Sequence, residues 1–352
     1  METSTVRSPA IHISGIGVEL PESVSVQDAA ALGLYPVEEI EAHDLAGAAV
    51  AGDLPAPEMA LRAARLAFSR CDVRPTDVDL LLYADSWHQG PDGWYPQAHL
   101  QRHLVGGSAL AVEVRQGCGG MFSALDLALG YLRADPGRES ALLVAADNYG
   151  TPLLDRWRAV PAAIFGDAAT AVVLTKEPGF AEVLSVRHVT VPEAEQLHRG
   201  TLPLFPPSAT TGETLDFTAR LTEFRAVARS IPGALAAFES INTRMQEITL
   251  AAVKDAGIEL SDITRVAFTH MSRLVLQQRA LQELGLRPEQ TAWEFARTVG
   301  HLGASDQFAA FDHLLTAGEL GPGDHLLMMS ISPGFTLSAA VIKVLTLPPW
   351  LA

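Results

Sequence analysis

The sequence predicts an α/β fold built by duplication, and three observations carry that prediction. One long stretch repeats at a shift of 185 residues, a second repeats at a shift of 183, and several strand-like runs are continuously apolar. In the first pair, MALRAARLAFSRCDVRPTDVDLLLYADS (59–86) aligns with RMQEITLAAVKDAGIELSDITRVAFTHM (244–271). Each copy reads as helix, turn and strand, with Thr76-Asp77 or Ser261-Asp262 capping a short helical turn before the strand. In the second pair, CGGMFSALDLALGYLRADPGRESALLVAADNYG begins at 118 and HLGASDQFAAFDHLLTAGELGPGDHLLMMSISPG begins at 301. Both follow a glycine and run through an apolar helix, a Pro-Gly turn and a strand. Two copies are too few for a solenoid. Continuously apolar strands suit a sheet covered on both faces. The expected division is 1–180 for the first half, which carries a candidate nucleophile, and 181–352 for the second, which carries candidate histidines.

The elements follow in order. DLPAPEM (53–59) leads into the first long helix, and LLLYAD reads as its following strand. YADSWHQGPDGWYPQAHLQ (83–101) is aromatic and rich in turns, suited to a pocket wall, a subunit contact or an ordinary surface loop. VEVR (112–115) is strand-like and stops at Gln116 and Gly117. Cys118 comes next, and then a helix whose Met121, Phe122, Leu125, Leu127, Leu129 and Leu132 cover much of its circumference, so burial between sheets is expected. ALLVAAD and AAIFGDAATAVVLT (162–175) supply further strands. LPLFPPSATTGET (202–214) reads as a loop or flap before a long helical region near 216–254. The second copy ends in HLLMMSI and FTLSAAVIKVLTL (335–347).

With 352 residues, 48% apolar and 19% charged, the chain has the composition of a globular protein with a large interior. Its formal charge of -16, from 25 basic and 41 acidic residues, together with the lack of a basic cluster, excludes a nucleic-acid-binding face. An acidic carrier protein needs only a small basic patch, which the sequence does not locate. METSTVRSPA has no apolar core of a secretory signal, and no uncharged apolar run reaches 18 residues. No membrane association is expected, and the cytoplasm is the expected location. Two cysteines, at 71 and 118, make no disulfide framework. Cys71, at the end of a helix pattern, reads as a small buried hydrophobe. His99 and His103 lack the partners of a metal site and read as a helix surface. No GxGxxG lies between a strand and a helix, so no nicotinamide is expected.

The chemistry concentrates at Cys118. A thiol at a helix start faces unpaired backbone N–H groups and the positive end of the dipole, which favour thiolate. Those N–H groups also suit an oxyanion formed after attack on a carbonyl. A buried core cysteine is the competing reading. His301 occupies the repeat position of Cys118, so packing about a pseudo-two-fold axis would bring the two together. His270 ends a strand at an equivalent junction. Asp306, expected about one turn inside a helix starting near Leu302, could fix one imidazole tautomer, leaving the other nitrogen as a base, or cap the first turn, and the two roles need not exclude each other.

These residues sit in motifs that resemble the ketoacyl synthase III-like enzymes of the thiolase superfamily. ISGIGVELPES (13–23), GCGGMFSALDLA, FGDAATAVVL (165–174), THMS (269–272), GHLGASDQ and SPGFTLS (332–338) match its motifs in order along nearly the whole chain. The resemblance implies a thiolase-like duplicated fold layered α-β-α-β-α. It puts Cys118 on the acyl-accepting cysteine, His270 on the family histidine, and Gly334 on the glycine whose N–H, with that of Cys118, forms the oxyanion hole. His301 stands where the family has asparagine. This departure resembles a subgroup of antibiotic and polyketide pathways that transfers acyl units to sugars or selects starter units. His198, in a polar loop, corresponds to an additional histidine of that subgroup, or is a surface side chain.

The resemblance implies no permanently bound cofactor. It implies an acyl-CoA or acyl carrier protein thioester as donor, a small-molecule acceptor and a homodimer, with the strand after the cysteine helix as a candidate for pairing across the two-fold axis. A cysteine, histidine and carboxylate suit covalent acyl transfer to a hydroxyl or amine. The alternatives are decarboxylative condensation or starter-unit selection, with His270 and His301 as donors to an enolate oxygen, and a non-catalytic member of the fold.

Overall fold

The computed structural model describes residues 9–352. The first eight residues, on which part of the reading against a secretory signal rests, lie outside them.

Nine strands form one ladder. The first half supplies β1 (His12–Glu19), β2 (Leu80–Asp85), β3 (Leu110–Arg115), β4 (Ser140–Asp147) and β5 (Ala168–Thr175). The second supplies β6 (Ala181–Thr190), β7 (Ile263–Phe268), β8 (His325–Ser332) and β9 (Thr336–Val344). Their order is β3-β2-β4-β5-β1-β6-β9-β8-β7. Within the sheet the halves are joined where His12 and Ile13 of β1 pair with Glu182 and Ala181 of β6. Pairing repeats between copies: β2 and β4 run parallel, as do β7 and β8, while β4–β5 and β8–β9 are antiparallel. Where the first half has β3, the second has only a parallel bridge between Thr291 and Val266.

The alternation of side chains along the strands makes the layers. Leu81, Tyr83, Leu142 and Val144 face the outer helix α1 (Ala56–Ser69). Their neighbours Leu80, Leu82, Ala141 and Leu143 face inward, onto α2 (Gly120–Arg133) and α6 (Asp306–Thr316). The inner face of the second half, with Leu326, Met328, Ala340 and Ile342, covers the same two helices from the other side. Leu327, Met329, Ala339 and Val341 point outward to α4 (Ala234–Asp255), which follows α3 (Phe217–Val227). The layers are therefore α1, first-half strands, α2 with α6, second-half strands and α4: α-β-α-β-α. α5 (Trp293–Val299) leads into the His301 turn.

Two expectations need correction. On α2, Met121, Phe122, Leu125, Leu129 and Leu132 are buried, each contributing about 1.5–3 kcal/mol, but Leu127 is 57% exposed. One stripe of this helix faces solvent because the two sheets clasp it from two sides only. The strand after the cysteine helix, β4, is hydrogen-bonded on both sides, to β2 and β5, and has no edge to offer. The open edge is β3, the strand before Cys118, where Leu110 and Val112 are exposed. Among the described residues no helix is long and apolar enough to cross a membrane.

Candidate active site

Cys118 sits in a single helical turn, Gly117–Gly119, between the end of β3 and the start of α2. Gly117 has φ +56°, and a β-carbon there would lie 2.8 Å from the Pro333 ring. A β-carbon at Gly119 would lie 2.8 Å from Ser332 Oγ. The thiol turn is thus pressed against the β8–β9 turn of the other half, which only glycine permits. Ser330 Oγ donates to the Cys118 carbonyl at 3.2 Å, and Gln116 Nε2 donates to Thr336 Oγ1 at 3.1 Å.

The second half brings the imidazole. The His301 N–H donates to Ile164 O at 2.7 Å, and its carbonyl accepts from Gly166 N at 2.9 Å, so the backbone holds it beside Phe165. The Phe165 ring stacks on His301 with centroids 5.5 Å apart. Cys118 Sγ lies 2.8 Å from His301 Nε2. His301 Nδ1 lies 2.6 Å from Asp306 Oδ2, which fixes the tautomer by accepting the Nδ1–H. Asp306 also caps the turn: Oδ1 accepts from Leu302 N at 2.7 Å, and Oδ2 from His270 N at 2.8 Å. Orienting and capping coexist. Asp306 is the first residue of α6, not one turn inside it, because a 3₁₀ turn, Gly303–Ser305, intervenes.

Electrostatics follow from this geometry. Burial acts to lower the His301 pKa, but the charges of Asp306 and Cys118, with hydrogen bonds to both, more than offset it and hold the imidazole well above its usual value. Burial acts to raise Asp306, yet His270 and His301 beside it, with its hydrogen bonds, keep that carboxyl below its ordinary value. His270 goes the other way: burial lowers it, and the nearby Asp306 offsets this only partly.

His270 stands behind the carboxylate. Its Nδ1–H donates to Gly300 O at 2.9 Å and lies 3.2 Å from Asp306 Oδ1. Its Nε2 is buried without a hydrogen-bond partner, and its ring meets Phe295 edge-on at 5.8 Å. A cavity of about 370 Å³ reaches Cys118 and His301, but His270 does not line it; the neighbouring Thr269 and Met271 do. His198 is not a surface side chain. It lines this cavity half-buried, between Phe335 at 4.8 Å and Phe217 at 5.3 Å, with Nδ1 sealed and unpartnered. Burial, with Arg220 nearby, pushes its pKa down to about 4, so the ring is neutral. Gly334 has φ +80° in the turn that also holds Pro333 against Gly117.

The sequence reading missed Phe165, although it lies in a motif it singled out, and two arginines. Arg225 and Arg279 line the cavity, and Arg279 donates to Asn242 Oδ1 at 2.6 Å. Elsewhere, His99 bonds Glu58 at 3.0 Å rather than joining His103 in a ligand set. Among the described residues no group of three or more His, Cys, Asp or Glu is disposed to hold a metal.

Comparison with known proteins agrees with the architecture. The model of the 3-oxoacyl-[acyl-carrier-protein] synthase III family matches residues 112–190, and that of its C-terminal part matches 253–344. A solved structure of the acyltransferase ChlB3 is 57% identical, covers 97% of this chain and 100% of its own, and superposes with a TM-score of 0.92. This chain belongs to the ketoacyl synthase III-like family of the thiolase superfamily. Among other relatives, the β-ketoacyl-[acyl-carrier-protein] synthase III of Rhizorhabdus wittichii is 27% identical over 81% of this chain and 83% of its own length. The solved 3-oxoacyl-(acyl carrier protein) synthase III of Pseudomonas aeruginosa PAO1 is 23% identical and shares the fold, with a TM-score of 0.77 over 97% of this chain and 100% of its own. Membership of this ketoacyl synthase III-like family makes the chain an acyl-transferring or condensing enzyme.

Proposed function

We propose that this enzyme moves an acyl group from a CoA or carrier-protein thioester, through a thioester on Cys118, to a hydroxyl or amine of a small natural-product intermediate such as a sugar. The observation that carries this reading is the continuous line Cys118 Sγ to His301 Nε2, 2.8 Å, and His301 Nδ1 to Asp306 Oδ2, 2.6 Å. Such a line moves protons between a nucleophile and its leaving group.

In the first half-reaction Cys118 Sγ, its proton already carried by His301 Nε2, attacks the thioester carbonyl carbon. The bond to the donor sulfur breaks, and that sulfur takes the proton from Nε2. In the second, the acceptor O–H gives its proton to Nε2 as its oxygen attacks the acyl-cysteine. The acyl–Sγ bond breaks and the proton stays on Nε2, restoring the starting pair. Asp306 keeps Nε2 facing the sulfur throughout. The oxyanion of each step is assigned to the N–H groups of Cys118 and Gly334. The first half of the chain, 1–180, then supplies the nucleophile, and the second, 181–352, supplies the base.

Condensation needs two donors at the enolate oxygen, and of the two histidines only His301 borders the cavity. That favours transfer. Arg225 and Arg279 on the cavity wall suit the phosphate-bearing arm of the donor. No tightly bound cofactor enters this scheme. The open β3 edge, with Leu110 and Val112 exposed, suits pairing with a second copy as a homodimer.

The test is a panel of acyl-CoA and acyl carrier protein donors read by intact-protein mass. The wild type is expected to gain one acyl mass, and Cys118→Ala none. Adding acceptor should discharge it to an O- or N-acylated product that keeps every acyl carbon. Carbon dioxide release from a malonyl thioester with a β-ketoacyl product would assign condensation instead, and an enzyme that never acylates would leave a non-catalytic role.

A further inference from the structure

The turn that carries His301 is held by side chains the scheme above does not use. Gly303, with φ +61°, lies midway between His301 and Asp306. A β-carbon there would run into Tyr149 Oη and Asp147 Oδ2, and would lie 3.1 Å from Ser86 Oγ. These three polar atoms belong to the first half, are buried, and converge on one backbone position of the second. Tyr149 is 2% exposed, and its own N–H is anchored to Asp167 Oδ1 at 2.8 Å. Its ring stacks on Phe165 at 4.3 Å, and Phe165 stacks in turn on His301 at 5.5 Å. Tyr149 therefore meets the His301 segment twice, with its hydroxyl at Gly303 and with its ring through Phe165. It does not line the cavity.

The duplication gives this arrangement a counterpart. The segment at the end of β4, Asp147 to Tyr149, is the repeat equivalent of the segment at the end of β8 that carries Ser332 and Pro333. Ser332 and Pro333 press on the glycines flanking Cys118, while Asp147 and Tyr149 press on the glycine after His301. Each half braces the reactive turn of the other.

We infer that Tyr149 is a positioning residue for His301, setting the imidazole against Cys118 through Phe165 and the Gly303 turn. This rests on the proposed Cys118–His301 partnership. Burial, with Asp147 and the Cys118 charge nearby, holds its phenol well above the usual value, so the hydroxyl stays neutral.

The test is the pH profile of Cys118 alkylation by iodoacetamide, which reads the sulfur–imidazole contact without substrate, together with kcat and KM. Tyr149→Phe keeps the stack and removes the hydroxyl; Tyr149→Leu removes both. The expected result is a graded movement of the profile, Leu more than Phe, toward that of His301→Ala. It should come with kcat down about tenfold for Phe and about a hundredfold for Leu, and donor KM unchanged. If Tyr149→Leu does not fold, Tyr149→Phe decides alone. Tyr149 profiles matching wild type, while His301→Ala moves its own, would overturn the brace and leave the partnership standing. A His301→Ala profile that does not move would overturn the partnership itself.

Discussion

In the proposed relay Cys118, His301 and Asp306 are joined atom to atom, and substitutions of His301 and Asp306 are expected to separate the two half-reactions. His301→Asn, which restores the family's side chain, removes the base. Acyl discharge to the acceptor is expected to fall about 10²–10⁴-fold, with the acyl-enzyme accumulating in the intact mass. Asp306→Asn should lose a comparable part of it, because the amide no longer holds the Nδ1–H tautomer. His198 lines the cavity wall and has no part in the proposed relay. His198→Ala should raise a substrate KM by roughly five- to tenfold, the worth of one buried hydrogen bond, with Cys118 alkylation unchanged in rate and pH profile. Its pKa of about 4 means it adds no break to the activity profile between pH 5 and 8. The convergence of Cys118, His301 and Asp306 was legible because duplication placed Cys118 and His301 at one repeat position and the carboxylate followed five residues on. His198 was not, since its burial comes from Phe217 and Phe335, distant in sequence. The direction of His270 was not either: repeat position locates its backbone, while Phe295 and Gly300 decide where its ring points.

Among elements, the tight turns carry the greatest load. Gly303→Ala places a side chain where Tyr149 and Asp147 already stand and imposes φ +61° on a residue that disfavours it. It should destabilise the fold by about 2–4 kcal/mol and reduce acyl discharge more than acylation, as thermal unfolding and single-turnover mass analysis would show. Val112→Lys on the β3 edge changes only the proposed subunit contact. Light scattering should then report monomer, with Cys118 alkylation intact. The long helices were readable from their apolar faces and most strands from continuous apolar runs, because both faces of those strands are buried. β3 was assigned as a strand but not as an edge, since pairing partners are a property of the sheet. The absence of its counterpart in the second half escaped as well: Thr291 keeps one bridge to Val266, and the chain turns into α5 before a strand can form.

The whole molecule answers to pH through carboxyls that the relay does not contain. Asp85 is pushed up to about 8 by burial, with Asp147 and Glu113 adding to it, and Asp147 is pushed up to about 6 by burial, partly offset by the N–H groups of Ser86 and Trp87. Both values exceed those of the unfolded chain, so the folded state holds these protons more tightly. Their contribution is full below about pH 4 and is lost as pH rises through 6 and then 8. Denaturant titrations should therefore find stability falling between about pH 4 and 8, and Asp85→Asn, which cannot ionise, should flatten the upper part of that fall. The duplicated α/β character followed from two repeats with apolar strands, and the five layers from the family resemblance. The single ladder did not, because it depends on two residue pairs between β1 and β6. The same ladder has unlike ends. β3 is bare, whereas β7 is occupied by the 289–292 segment: Gln290 Nε2 donates to Ile263 O at 2.7 Å, and Ala292 N donates to Val266 O at 3.2 Å. With the proposed pairing at the bare border, the 289–292 segment leaves the other border no place for a third copy, so assembly would end at two rather than grow into fibres.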